Sequence, residues 1–307
     1  MIGKEVLIMK KAILLLTVSC MLTSCSSQMN MKEDVQGMAS PAAAVLETAS
    51  PAVAAPAAAV LETASPAVAA PAAAVPETVS PAVTALAAAA TNPWNETVVD
   101  FSQGASPYFT ASDGWSNGSV FNCTWRAGNI SFVDSVMRLS IDTDVAASPP
   151  YSGGEYRSVD FYGYGKYEVS MKPIKHDGVV SSFFIYTGPY DSNPWDEIDI
   201  EFVGKDTTRV QFNYYTDGNG SHEYYHDLGF DASESFHTYG FDWTEDSITW
   251  YVDGAAVYTA AENIPATPGR VMMNVWPGIG VDDWLNPFDG TVPLYAQYQW
   301  VRITVPG

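Results

Sequence analysis

Pro194-Trp195-Asp196-Glu197-Ile198-Asp199-Ile200-Glu201-Phe202 sets Glu197, Asp199 and Glu201 at every second position, with Ile198 and Ile200 between them. Side chains alternate across a β-strand, so this spacing predicts three carboxylates on one face and two β-branched residues on the other. Like charges so close together do not all ionise freely, and a fold tolerates such a row where a cleft, a metal or a proton-sharing reaction uses it. The alternative is a solvated edge face carrying chance acids.

The flanking sequence favours a site. Phe183, Phe184, Ile185 and Tyr186 form a strand-like run upstream, and Trp195 directly precedes the acids. Downstream, Val210 to Tyr215 alternates again, so pairing beside the acidic strand predicts Gln211, Asn213 and Tyr215 on one face. Carboxylates flanked by amides and aromatic rings suit a sugar: rings stack on pyranose faces and amides bond to hydroxyls. Two carboxyl groups are the minimum equipment for glycoside hydrolysis.

The stretch VSSFFIYTGPYDSNPWDEIDIEFVGKDTTRVQFNYYTDG, residues 180 to 218, closely resembles the bacterial lichenases, the endo-β-1,3-1,4-glucanases of glycoside hydrolase family 16. Similarity extends to FNCTWR (121–126), YGYGKYEVSMKP (162–173), HTYGFDW (237–243), WYVDG (250–254), VMMNVWPGIGVDDWL (271–285) and LYAQYQWVRIT (294–304). The resemblance implies an all-β fold, a curved, concanavalin A-like β-sandwich jelly roll with a concave glucan-binding cleft. It also implies retaining cleavage of β-1,4 bonds that follow β-1,3 bonds in mixed-linkage glucan, with no cofactor needed for the chemistry. By position, Glu197 resembles the nucleophile, Glu201 the general acid/base, and Asp199 the residue that tunes their protonation. Trp195, Phe184, Tyr186, Trp276 and Trp284 match stacking residues, and Glu155, Arg157, Gln211, Asn213, Tyr215, Asn117 and Asn274 match hydroxyl-binding ones. Trp115 stands where relatives commonly have Tyr. Four residues of straight strand separate the Cα atoms of Glu197 and Glu201 by roughly 13 Å, so their side chains must lean together to approach the about 5–5.5 Å of a retaining pair. A laminarinase or transglycosylase of the same fold is the rival within enzymes; related laminarinases usually carry an extra Met in the acidic strand, absent here. A non-catalytic glucan-binding lectin is the rival outside them.

Outside this region the chain reads differently. Lys10 and Lys11 precede an apolar run, Ala12 to Leu22, too short to span a bilayer, and Leu22-Thr23-Ser24-Cys25 resembles a lipoprotein cleavage box with Cys25 as the lipidated residue. Residues 1–24 are therefore expected to be a signal peptide, with Met9 an alternative start. Ser26 and Ser27 supply no inner-membrane retention Asp, which favours an outer-membrane or cell-surface lipoprotein, or release from the cell. Residues 25–93 are expected to be a low-complexity spacer: AAAVLETASPAVAAP runs from 42 to 56, repeats from 57 to 71, and recurs degenerately from 72 to 86. The unit has no aromatic residue and a Ser-Pro in each copy, which argues against a packed solenoid.

Residues 94–307 have the length of one catalytic domain. They hold 10 of the 14 Lys and Arg and 29 of the 35 Asp and Glu, a net charge of −19. Such a field repels nucleic acid and anionic polysaccharides and leaves a neutral glucan unaffected; a monomer is expected. Tyr167, Val169 and Met171 share one strand face, and Ile248, Trp250 and Val252 another, ahead of an Asp253-Gly254 hairpin turn. With Cys20 in the signal and Cys25 lipidated, only Cys123 remains, because Gly153 stands where many lichenases have its disulfide partner. Gln299 stands where family members often have an Asp that binds structural calcium; backbone carbonyls could still hold the ion, so a structural calcium stays open and the metal undetermined. His176, His222, His226 and His237 lack zinc spacing.

Overall fold

Ile198, Ile200 and Phe202 are fully buried on one side of the acidic strand in the computed structural model, which describes residues 93–307. The signal segment, Cys25 and the repeats lie outside the described residues. In chain order the strands are β1 (Trp94–Asp100), β2 (Phe109–Ala111), β3 (Thr124–Trp125), β4 (Ile130–Val133), β5 (Val136–Thr143), β6 (Tyr151–Ser158), β7 (Gly165–Lys172), β8 (Val179–Thr187), β9 (Asp196–Val203), β10 (Arg209–Tyr215), β11 (Tyr224–Asp227), β12 (His237–Trp243), β13 (Ile248–Val252), β14 (Ala255–Ala260), β15 (Arg270–Pro277) and β16 (Leu294–Pro306). One four-residue helix, α1 (Asp282–Leu285), interrupts them.

Two largely antiparallel sheets result. One runs β11-β10-β9-β8-β15-β6, the other β5-β16-β7-β12-β13-β14, and a short β5–β6 pairing joins them at Asp142 and Ser152. Between them lies the core that the alternations predict. Phe202 packs edge-on against Tyr239 (centroids 4.9 Å apart), Phe212 stacks on Trp250 (5.5 Å), and Phe183 lies 6.1 Å from Phe241. Tyr167, Val169, Met171, Ile248 and Trp250 are fully buried on the facing sheet. Each such side chain contributes about 1.5–3 kcal/mol by leaving water. The core side of β9 therefore fixes its opposite side as the acid-bearing face. The β13–β14 hairpin turns at Asp253 (φ 48°) and Gly254 (φ 79°), the left-handed pair that a tight two-residue turn requires. The all-β jelly-roll sandwich is thus the architecture of residues 93–307.

Cys123 is buried and unpaired. A Cβ added to Gly153 would meet Cys123 Sγ at 2.8 Å and the Val275 carbonyl oxygen at 2.7 Å, so the residue facing the thiol is a glycine in a tight space. Burial, reinforced by Glu155, pushes the thiol well above its ordinary range. Gln299 sits where the β16–β7 register slips, and its Oε1 accepts a 2.8 Å hydrogen bond from Ser170 Oγ. An uncharged side chain already engaged within the protein does not fit the role of a calcium-binding carboxylate. Among the described residues no group of three or more His, Cys, Asp or Glu is arranged to hold a metal ion.

Candidate active site

Strand register builds the site in rows. On β9, Glu197 lies between Tyr215 of β10 and Tyr186 of β8, Asp199 between Asn213 and Phe184, and Glu201 between Gln211 and Ser182. The next strands extend the rows, Asn274 standing beside Ser182 and Glu155 beside Asn274. The pairing of Gln211, Asn213 and Tyr215 beside the acids is the one expected from their alternation.

All three acids are nearly inaccessible: Glu197 is 1% exposed, Asp199 2% and Glu201 5%. Their fixed partners differ. Trp195 Nε1 donates to Glu197 Oε2 (2.7 Å), and Gln211 Nε2 donates to Glu201 Oε2 (2.8 Å) while its Oε1 accepts from Trp284 Nε1 (3.0 Å). Trp250 reaches across the core to hold the Asp199 carbonyl oxygen (3.0 Å). Asp196 anchors the strand's entry by accepting from the backbone amides of Asp217, Ala266 and Thr267.

The crowding has an electrostatic consequence. Burial, then the charges of Glu197 and Glu201, raise Asp199 well above the carboxylate range, and it shares a hydrogen bond with Glu197. Such a bond between two carboxyls requires a proton on one of them, and the raised Asp199 is the group that keeps it. Burial first, then Glu197 and Glu223, lift Glu201 to about 8 against the opposing bond from Gln211. Glu201 is therefore protonated at neutral pH and equipped to give a proton away.

Other expected residues converge on the same face. An open hollow containing about 370 Å³ of empty space is lined by Trp115, Asn117, Glu155, Arg157, Phe184 and Tyr186, among others. Arg157 lies 5.0 Å from the Trp115 ring centroid, and its Nε is buried without a partner. Asn213 Nδ2 is likewise unpartnered, a donor left for a ligand. Glu155 is held by Ser112 Oγ (2.5 Å) and Asn274 Nδ2 (3.3 Å), and burial raises its pKa against those bonds. Trp276 floors the cleft beside the acids, 2% exposed and with its ring 4.2 Å from that of Phe121. Trp195 and Tyr215 stack on each other at 4.6 Å with planes 10° apart, so each ring uses one face on the other.

Two contributors escaped the sequence reading. Ser182, opposite Glu201, donates to Asn274 Oδ1 (2.6 Å) and was legible in the Ser182-x-Phe184-x-Tyr186 alternation. Glu223 precedes β11 in an irregular stretch with no periodic signal, yet its charge raises both Asp199 and Glu201, and its Oε1 is buried without a partner.

A carboxylate row in an open, aromatic-walled groove is the equipment of a glycosidase, and residues 117–302 match the sequence profile of Glycosyl hydrolases family 16. The chain belongs to that family. It is 55% identical over 205 residues to a Beta-glucanase of Acetivibrio thermocellus, covering 67% of this chain and 61% of that protein's length. Identity to a Beta-glucanase of Paenibacillus polymyxa is 59% over 203 residues, 64% of this chain and 84% of the relative. Among solved structures, a prokaryotic β-1,3-1,4-glucanase (lichenase) derived from a mouse hindgut metagenome superposes with a TM-score of 0.67 at 55% identity, over 69% of this chain and 99% of that one.

Proposed function

We propose that this family 16 member is an endo-β-glucanase that cuts the β-1,4 bond following a β-1,3 bond in mixed-linkage glucan, with retention of configuration. The buried row Glu197, Asp199, Glu201 on the floor of an open groove carries this reading. Glu197 attacks the anomeric carbon, while protonated Glu201 delivers its proton to the departing oxygen. Glu201, now a base, then takes a proton from water that releases the sugar from Glu197. Asp199, hydrogen-bonded to Glu197, orients the nucleophile and holds a proton beside its charge. The likeness to a solved β-1,3-1,4-glucanase and the strict alternation of the acidic strand support a mixed-linkage substrate.

Lichenan and barley glucan should yield mainly a trisaccharide and a tetrasaccharide with 3-linked reducing ends. Soluble cellulose derivatives, which lack the kink that a β-1,3 bond puts into the chain, should react hundreds to about a thousand times more slowly, the ratio for about 3–4 kcal/mol of transition-state discrimination. Reducing-sugar release is the assay. Equal specific activity on laminarin would move the assignment to a laminarinase, and binding without hydrolysis of any glucan to a lectin.

We further propose that the chain is exported and lipid-anchored at Cys25, the Ala/Pro repeats holding the enzyme away from the outer membrane. The motif Leu22 to Cys25 after Lys10-Lys11 supports this, and no described helix is long and apolar enough to cross a membrane. Palmitate fed to an expressing Gram-negative host should label the wild type and not Cys25→Ala; an unlabelled wild type would refute the anchor.

A further inference from the structure

The row that contains Glu201 does not end at Gln211. Tyr225 of β11 stands directly opposite Gln211, two strand spacings or about 10 Å beyond the acid. Alternation on this short strand separates two neighbouring tyrosines. Tyr224 stacks on Tyr258 at 3.9 Å and 4°, as part of the fold. Tyr225 is 41% exposed, and its ring has the Arg209 guanidinium 4.8 Å from its centroid. Arg209 is itself held by Asp227 Oδ1 (2.8 Å), its register partner. The phenol hydrogen-bonds with Trp284, whose indole also donates to Gln211, so its hydroxyl end lies on the side of the reaction centre.

Tyr225 and Arg209 bound a hollow with about 480 Å³ of empty space, whose other walls are Val203, Lys205, Asp206 and Gln211. Gln211 is the shared wall: its amide nitrogen binds Glu201 and its carbonyl oxygen binds the Trp284 indole. This second hollow therefore adjoins the general acid through Gln211, on the opposite side of β9 from the one lined by Glu155 and Arg157.

We propose that Tyr225, backed by Arg209, is the stacking platform for the leaving-group half of the glucan, a β-linked glucose unit on the far side of the scissile bond. This assignment rests on the proposed roles of Glu197 and Glu201, since the sugar that Glu201 protonates departs on the Glu201 side. An exposed ring with a cation held over it suits the apolar face of a pyranose. Tyr225 thus helps select polymer over short substrates by gripping the portion that leaves.

The test compares kcat/KM on barley glucan, which fills both arms, with that on an aryl β-glycoside of the mixed-linkage trisaccharide, which has no sugar beyond the bond cut. In Tyr225→Ala the glucan-to-aryl ratio should fall about tenfold, while Tyr225→Phe, which keeps the ring, should hold the wild-type ratio. Parallel losses on both substrates in Tyr225→Ala, or an unchanged ratio, would overturn the platform and leave the functional reading standing. A wild type that hydrolyses neither substrate would overturn both.

Discussion

Glu197→Ala is expected to lower kcat on mixed-linkage glucan by roughly 10⁴–10⁶-fold, the scale on which removal of a covalent nucleophile acts. The fold should survive, because β9 is held by Ile198, Ile200 and Phe202 in the core and by the backbone bonds to Asp196, none of which the truncation touches. What is lost is the oxygen beneath the anomeric carbon, and with it the acceptor for Trp195 Nε1. Azide should enter the vacated space and attack from the same face, while Glu201 still protonates the leaving oxygen. The product would be an α-glycosyl azide. Glu201→Ala behaves differently: glycosylation survives only with an activated leaving group, and azide, arriving after the covalent intermediate forms, gives a β-azide. The two anomers are distinguished by proton NMR. The reverse pattern would exchange the two roles, and an inverted wild-type product would discard the double displacement altogether.

How much of this was legible beforehand depends on whether a residue's partner is set by strand periodicity. Alternation alone placed the acids opposite Ile198 and Ile200, and aligned Gln211, Asn213 and Tyr215 with them, because in a half-buried sheet a slip of one residue would turn every core side chain to water. The buried faces of β7 and β13 follow from the same period. Contacts made across long separations left no such trace. Ser112 reaches Glu155 from 43 residues away, and Trp250 reaches the Asp199 carbonyl oxygen through the core from the opposite sheet. Trp276 shows the limit for aromatic residues. Its strand position puts it on the cleft face, as expected, but its packing against Phe121, on a segment with little regular structure, left no periodic trace. Glu223 shows the limit for acids, since a carboxylate outside any alternating run is recognised only by the charges it faces.

Those charges predict a trade between stability and rate at Glu201. The side chain is lifted from an ordinary 4.5 to about 8, chiefly by burial and then by Glu197 and Glu223. In the unfolded chain it loses its proton near 4.5, whereas the folded protein keeps that proton up to about 8. Between these values the folded state binds the extra proton, so stability falls as pH rises, by about 1.4 kcal/mol per pH unit from this group. Glu201→Gln replaces the protonated acid with a neutral group of the same shape that has no proton to lose, and its amide oxygen still accepts from Gln211. Urea unfolding should then show the variant's advantage over wild type growing from pH 4.5 to 8 and constant above that. Its kcat/KM on barley glucan should meanwhile fall about 10²–10⁴-fold for want of a general acid. In the wild type, the same proton sets the alkaline side of the rate profile, activity declining as pH passes about 8. Glu223→Gln, which removes one of the charges holding that proton in place, should move this decline to lower pH. Stability curves for Glu201→Gln and wild type that stay parallel across the window would mean that Glu201 is ionised in the folded protein, and would remove it as the acid.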